Sequence, residues 1–249
     1  MSKHRWKILD YIAPSIALIA SVVAVIGSPK WDDKASGLHK LTALGWATLA
    51  VGVLAFIATC IVTARNNRER LQEKKTRERI ASKGKAHILS ALHHIAVPLM
   101  SDYIFGRDGL KPKSAKDMLT AERHLKLGSL DLNSVSPYAA GDFKEIRWYR
   151  ILEDSARDGS TEMITALQIF VTYLPADVID TATKILECEF VKMHLFHLHD
   201  LVNANTHIDP NRVVPMFMLF SKEKSMDERG YWEFWNLCIK LEDLCKASS

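Results

Sequence analysis

The hydrophobic pattern of the chain is dominated by the segment from Leu41 to Ala64, which contains no charged residue and ends at a basic run. As a helix rising 1.5 Å per residue, a segment of this length covers about 36 Å, more than the bilayer hydrocarbon thickness of about 30 Å. Core helices of soluble proteins seldom stay uncharged beyond about five turns. The segment therefore predicts a membrane span at residues 41–64.

A second uncharged stretch, Tyr11 to Pro29, follows a basic start and predicts a first span at about residues 8–27. A signal peptide is the alternative, but the sequence SPKWDD after Gly27 offers no small-x-small cleavage site. The connection Ser28–Lys40 is short, so we expect residues 1–64 to form a two-helix transmembrane hairpin.

Basic residues set the expected orientation of this hairpin. The connecting loop has three lysines, whereas the flanks carry more basic residues, namely Lys3, Arg5 and Lys7 before the first span and Arg65, Arg68, Arg70, Lys74 and Lys75 after the second. Because cytoplasmic flanks are enriched in Lys and Arg, both termini are expected in the cytoplasm of a cell whose inner membrane holds the hairpin.

Small residues recur along one stripe of each predicted span: Ala13, Ala17 and Ser21 in the first, and Ala43, Ala47, Ala55 and Thr59 in the second. Such stripes let helix backbones approach closely in lipid. Two uses remain open. The two spans of one hairpin pack on each other, or copies of the chain associate as a homo-oligomer.

Residues 65–85 have nine basic and three acidic side chains and predict a polar helical stalk that continues the second span. Anionic lipid headgroups attract such side chains, and the candidates nearest the bilayer are Arg65, Arg68, Arg70, Lys74 and Lys75. A plain stop-transfer flank is the alternative.

From residue 86 the apolar positions follow helical periodicity, and no stretch alternates with period two, so residues 86–249 predict an all-α cytoplasmic domain. The pair Asp158-Gly159 is expected to separate two helices. The predicted helices are Ala86 to about Pro98, Ser114 to Gly128, about Asp142 to Arg157, Ser160 to Pro175, Pro175 to about Ala204, about Val213–Ser221, and about Asp227 to Lys246.

Charge divides the chain. Residues 1–85 carry 15 Lys or Arg against 6 Asp or Glu, and residues 86–249 carry 18 against 23. The positive charge therefore lies beside the spans, where it meets lipid, and the domain is acidic. Because nucleic-acid binders place basic patches on the folded domain, we expect no direct nucleic-acid binding.

One cluster in the domain has the residue types of a metal site. His194 and His197 are one helical turn apart and Asp200 is one turn further, but the spacing matches neither His-Glu-x-x-His nor a repeated Glu-x-x-His. Ordinary surface or core histidines are the favoured interpretation. We find no nucleotide or phosphate motif, and we expect no cofactor and no enzymatic activity.

The cysteines and aromatic residues fit structural roles. Cys238 and Cys245 are about 10 Å apart along a helix, too far for a disulfide bond, and reduced thiols suit a cytoplasmic domain. Tyr231, Phe234 and Trp235 share one helix face with Cys238, which favours core packing over nucleotide stacking.

The order of parts along the chain resembles the two-transmembrane effectors of bacterial anti-phage systems, such as those of retrons or of cyclic-nucleotide-signalling operons. The resemblance implies a hairpin that damages the inner membrane when triggered and a cytosolic protein or ribonucleoprotein regulator; no site residue carries over. The alternative is a membrane-tethered scaffold that docks a cytosolic protein. A metal-dependent membrane enzyme is a third hypothesis, supported only by the histidine cluster.

Overall fold

The computed structural model describes residues 43–106, 111–137, 146–207, 209–217 and 230–246, together with Ser15, Leu18, Ile19 and Val22 of the predicted first span. Its regular elements are helices, and within these residues β-structure is limited to two isolated bridges, 131 with 215 and 135 with 147. The predicted all-α fold is confirmed. The chain forms two compact units, Met1–Thr76 and Arg77–Ser249.

The two-span hairpin stays a prediction. The four described positions of the first span are helical. The rest of residues 8–27, including Ala13, Ala17 and Ser21, lies outside the described residues, as does the loop at 28–40.

The second predicted span belongs to helix α1, which runs from Ala43 to Leu99. The same helix includes the predicted stalk, whose helical character is confirmed. It ends one residue after Pro98, where the amide of Met100 donates to the carbonyl of Val97 at 3.0 Å. The expected end near Pro98 is confirmed, although Val97 and Pro98 are themselves helical. Proline offers no amide for a helical hydrogen bond, which weakens the last turn.

The remaining helices belong to the second unit. They are α2 (Asp102–Phe105), a 3₁₀ helix (Ala115–Met118), α3 (Ala121–Gly128), α4 (Trp148–Phe170), α5 (Ala176–Glu187), a π-helical turn (Phe190–His194), a 3₁₀ turn (Leu195–His197), α6 (Leu198–Thr206) and α7 (Tyr231–Lys246). Helix α5 packs on α7, and α4 packs on α6.

The predicted break at Asp158-Gly159 is wrong, because α4 continues through both residues. A Cβ atom on Gly159 would lie 2.7 Å from the carbonyl oxygen of Ala91 and 2.6 Å from the side chain of Ile95. The glycine therefore serves the close approach of α4 to α1 and does not end a helix.

Three other predicted helices are corrected. The segment 114–128 is split, because Thr120 adopts an extended backbone and its hydroxyl accepts from the amide of Arg123, starting α3. The segment 175–204 is interrupted at Cys188, whose ψ of 149° ends α5. The described start of the helix expected at 213–221 is not helical, since the amide of Met216 donates to the carbonyl of Leu130 at 3.0 Å.

An aromatic cluster fills the centre of the second unit. Phe190, Tyr231, Phe234 and Trp235 are fully buried, which confirms the predicted core face of the last helix. The hydroxyl of Tyr231 donates to the carbonyl of Met118 at 2.8 Å. Burial raises the pKa of Tyr231, so the hydroxyl stays a proton donor in this bond.

The last two residues assigned to the stalk from sequence, Gly84 and Lys85, are buried. A Cβ on Gly84 would lie 2.8 Å from Cβ of Phe170, so α1 and α4 also approach closely here. The Lys85 ammonium donates to the carbonyl of Leu244 at 3.1 Å. A cation at the C-terminal end of α7 is favoured by the helix dipole, so this contact ties α1 to α7.

Candidate functional site

The first candidate site is the apolar surface of α1. Within the described residues, α1 is the helix that is long and apolar enough to cross a membrane, judged by length and composition. None of its most apolar 18-residue stretch is buried, and Val51, Leu54, Ile57 and Ile61 are exposed. A core helix buries such side chains in protein, whereas a span presents them to lipid.

The small-residue stripe of this surface is open. Ala47, Ala55 and Thr59 are exposed, whereas the side chain of Ala43 lies outside the description. The hydroxyl of Thr59 donates to the carbonyl of Ala55 at 2.8 Å. Because its own helix satisfies the hydroxyl, the stripe can face lipid or another helix without an unpaired polar group.

The basic side chains that follow are also accessible. All five headgroup candidates are exposed: Arg65, Arg68, Arg70, Lys74 and Lys75. Arg65 pairs with Glu69 at 3.0 Å within the helix, an exposed contact that holds the side chain only weakly. The arrangement leaves these cations accessible to lipid phosphate.

The second candidate site is a surface groove between α4 and the part of α1 that belongs to the second unit. The two helices run antiparallel, since Gly84 meets Phe170 and Ala91 meets Gly159. Their side chains form two adjoining cavities of about 530 and 460 Å³ that share Thr161 and Glu162. We call this depression the α1–α4 groove; its lining residues are His87, Ser90, His93, His94, Val97, Pro98, Ser155, Asp158, Thr161, Glu162, Thr165, Ala166, Ile169 and Phe170.

Small side chains create the groove. Ser90, Ser155 and Ala166 line it where larger residues would fill the space between the helices. The hydroxyls of Thr161 and Thr165 each donate to the carbonyl four residues earlier at 2.8 Å. Bonded in this way, both threonines need no external hydrogen-bond partner and leave their methyl groups free for contact.

Polar groups stand on both walls. His94 Nδ1 lies 2.9 Å from a carboxylate oxygen of Glu162, and the imidazole of His87 stacks on Phe170 with ring centroids 5.6 Å apart. His93 and Asp158 complete the polar lining. Adjacent residues of a helix project about 100° apart, yet His93 and His94 both line this groove.

Apolar side chains lie beside these polar groups. Val97 is 51% exposed at one end of the groove, and Ile169 is 61% exposed at the other. Exposed apolar groups rimmed by charge are typical of surfaces that bind a partner. The groove can therefore bury apolar area and form ion pairs with the same ligand.

The histidine cluster singled out from sequence is not assembled. His194 packs against Phe190 and Phe217, with ring centroids 6.0 and 6.1 Å apart, while His197 Nδ1 lies 3.3 Å from a carboxylate oxygen of Asp200 at the surface. Among the described residues, no group of three or more His, Cys, Asp or Glu side chains is arranged to hold a metal ion.

All four cysteines are free thiols, as expected. Cys188, Cys238 and Cys245 are buried. Desolvation raises the pKa of Cys188 to about 11 and raises the pKa of Cys238 and Cys245 as well. Such thiols stay protonated at neutral pH and are poor nucleophiles, so they serve as packing groups.

Comparisons with protein families, curated proteins and solved structures found no match to this chain. The sites described above therefore rest on their own geometry.

Sequence analysis did not find the α1–α4 groove. Two signals were present: the spacing of His87 and His94 by two helical turns, and the small residues Ser155 and Thr161 on α4. Neither signal identifies a groove until Gly159 is known to bring α4 against α1.

Proposed function

We propose that this protein is an inner-membrane effector of a bacterial defence system. Its two-span hairpin, with both termini cytoplasmic, perturbs the membrane when the system is triggered. Its helical domain binds a cytosolic protein that holds or activates it. The observation that carries the proposal is the exposed apolar surface of α1 with its open small-residue stripe.

The stripe supports membrane perturbation through helix association. Lipid gives no hydrophobic drive between spans, so association depends on close packing over small side chains. Ala47, Ala55 and Thr59 offer such a surface, with the Thr59 hydroxyl already bonded within its helix. A one-span anchor needs apolar length but not this stripe, whereas a two-span anchor uses such a stripe only to pack its own two helices.

The flanking cations and the groove support the other two parts of the proposal. Exposed basic side chains beside the span fit an anionic cytoplasmic leaflet, where each contributes about 1 kcal/mol near the surface. The α1–α4 groove gives the domain a surface on which a regulator can act.

Membrane potential in cells tests the effector function. We expect cells that carry the native system to depolarise on infection, as measured with a potential-sensitive dye. Ala47→Ile should reduce this response severalfold while the protein still inserts, because the larger side chain prevents close backbone approach. Cys60→Ile is the matched control, since it also enlarges a small side chain but lies about 140° around the helix from Ala47. Normal potential in triggered cells would overturn the proposal.

A membrane-tethered scaffold is the second candidate, and the α1–α4 groove favours it as well. A scaffold needs the domain and any anchor. Exchanging residues 1–64 for an unrelated two-span hairpin should therefore preserve the activity of a scaffold and abolish that of an effector.

A further inference from the structure

We propose that the α1–α4 groove binds one amphipathic helix of a regulatory protein, with basic side chains flanking an apolar stripe. This inference specifies the partner named in the proposed function, and it rests on that function for the claim that the partner is a regulator. The charge of the groove indicates the charge of the ligand, and the length of the groove indicates its secondary structure.

The charge of the groove is negative. Asp158 and Glu162 are the formally charged lining residues, and none of the described residues that line the groove is Lys or Arg. Glu162 contacts His94 at 2.9 Å, and both of these side chains remain about half exposed to a ligand. The neighbouring Arg157 is engaged elsewhere, since its guanidinium donates to Glu153 at 2.8 Å and to the carbonyl of Phe196 at 2.7 Å. A ligand with Lys or Arg side chains is therefore complementary.

The shape of the groove fits a helix. Its α1 wall extends from His87 to Pro98, which is about 16 Å, or three helical turns. The exposed Val97 and Ile169 and the apolar floor at Ala166 offer contacts to successive apolar residues of one helix face. Burying an amphipathic face in an apolar groove is an established mode of peptide recognition.

A second copy of this chain is a poorer occupant. Its basic segment, residues 65–85, matches the charge but offers only Leu71 and Ile80 as large apolar side chains. The apolar faces of α5 and α7 are buried in the core of the domain. Phosphate-rich ligands are repelled by Asp158 and Glu162. The surface therefore favours a different protein chain.

Site-specific photo-crosslinking of the full-length protein in its native host tests the inference. We place p-benzoylphenylalanine at Val97 or Ile169, irradiate triggered and untriggered cells, and sequence the trapped peptide. We expect a basic amphipathic helix from another protein. The same probe at Leu125, an exposed position of α3, should not trap that peptide.

A second experiment reverses the charge of the groove and measures crosslinking again. Asp158→Lys/Glu162→Lys should lower crosslinking at least about tenfold, because like charges across an interface oppose association. Asp180→Lys/Glu187→Lys, on exposed positions of α5, makes the same net change outside the groove and should leave crosslinking unchanged. Reversing the partner's basic residues should restore crosslinking to the groove variant.

Three results would overturn the inference: no crosslink in either state, a trapped peptide from this same chain, or a trapped peptide that is acidic. Each leaves the effector function standing if triggered cells still depolarise. Conversely, a basic helix trapped in cells that never depolarise keeps the docking inference and removes the effector function. Circular dichroism of each variant checks that the domain remains folded.

Discussion

Two stretches of α1 are both rich in apolar residues but use them in opposite ways. In residues 45–62, exposed apolar side chains lie on opposite sides of the helix, as Val53 and Val62 do, about 180° apart. In residues 88–99, Ile88, Leu92, Ile95 and Leu99 fall on one stripe, and that stripe is buried. Apolar content thus does not tell what covers a helix, whereas its angular distribution does.

The two stretches also differ in where their polar side chains find hydrogen-bond partners. The Thr59 hydroxyl turns back onto its own helix at Ala55. His94, in contrast, reaches a carboxylate of the neighbouring helix at Glu162. Polar groups facing lipid must be satisfied within their own segment, while those facing water can be shared with a partner.

The largest expected effect comes from truncating one tryptophan in each region. Trp235 is fully buried and packs against Phe234 with ring centroids 5.0 Å apart, so Trp235→Ala should lower the free energy of unfolding by about 3–5 kcal/mol. Trp46 is exposed in the predicted span, and Trp46→Ala should leave the unfolding of the domain unchanged. Denaturant titration of the full chain in detergent, followed by circular dichroism, measures both.

Equal losses from the two substitutions would contradict the comparison. They would mean that the span contributes to the folding of the domain, and the separation of lipid-facing from core-facing apolar residues along α1 would not hold.

A smaller effect is expected when one exposed leucine in each region becomes lysine. Leu54 is 65% exposed near the middle of the predicted span, and Leu54→Lys should cost membrane insertion about 2.5–3.5 kcal/mol. Leu125 is 52% exposed on α3, and Leu125→Lys should stay within about 0.5 kcal/mol because that side chain faces water.

The side of the membrane on which the C-terminus lies distinguishes the two variants. If the second span fails to insert, the first span carries the C-terminus across the membrane, so alkaline phosphatase fused after Ser249 should become active in Leu54→Lys. The same fusion should stay silent in Leu125→Lys and in the unaltered chain. Silence in all three would show that residue 54 does not lie in a span.

The elements that could be predicted from sequence are those whose pattern is long and locally complete. The helix through residues 43–99 was predicted as three consecutive segments, from apolar length at 41–64, from polar composition at 65–85 and from helical periodicity after residue 86. The buried face of Tyr231, Phe234 and Trp235 follows from periodicity. Their local preferences and their tertiary contacts favour the same structure, so no outside information was needed.

The errors arose where a tertiary contact gives a residue its role. Gly159 looks like a helix breaker until the carbonyl of Ala91 is known to lie against it. The segment after Val213 is apolar and was predicted as a helix, but the Met216 amide donates to the carbonyl of Leu130 and not to its own segment. The α1–α4 groove depends on the same contact at Gly159, so the sequence alone could not place it.

The smallest predicted effect concerns a helix start that depends on water-exposed charge. The carboxylate of Asp117 accepts from the amides of Lys113 at 2.7 Å and Ser114 at 3.0 Å, and the bond from Lys113 is the main cause that lowers the pKa of Asp117 below its ordinary 3.8. Because the folded pKa is lowered, this carboxylate stabilises the domain above pH 3.8, and the contribution is lost as pH falls through the folded pKa.

Asp117 is the third residue of a capping box whose N-cap is Ser114. Asp117→Asn should therefore reduce the free energy of unfolding by up to about 1 kcal/mol at neutral pH, the usual value for losing a helix cap, and the difference should shrink as the medium becomes acidic. Asp154→Asn, which removes only an exposed ion pair with Arg150, should change stability by less. Thermal unfolding from about pH 7 to about pH 3 compares the two variants with the unaltered chain. A difference for Asp117→Asn that stays constant over this range would show that the charge of Asp117 has no part in starting the helix.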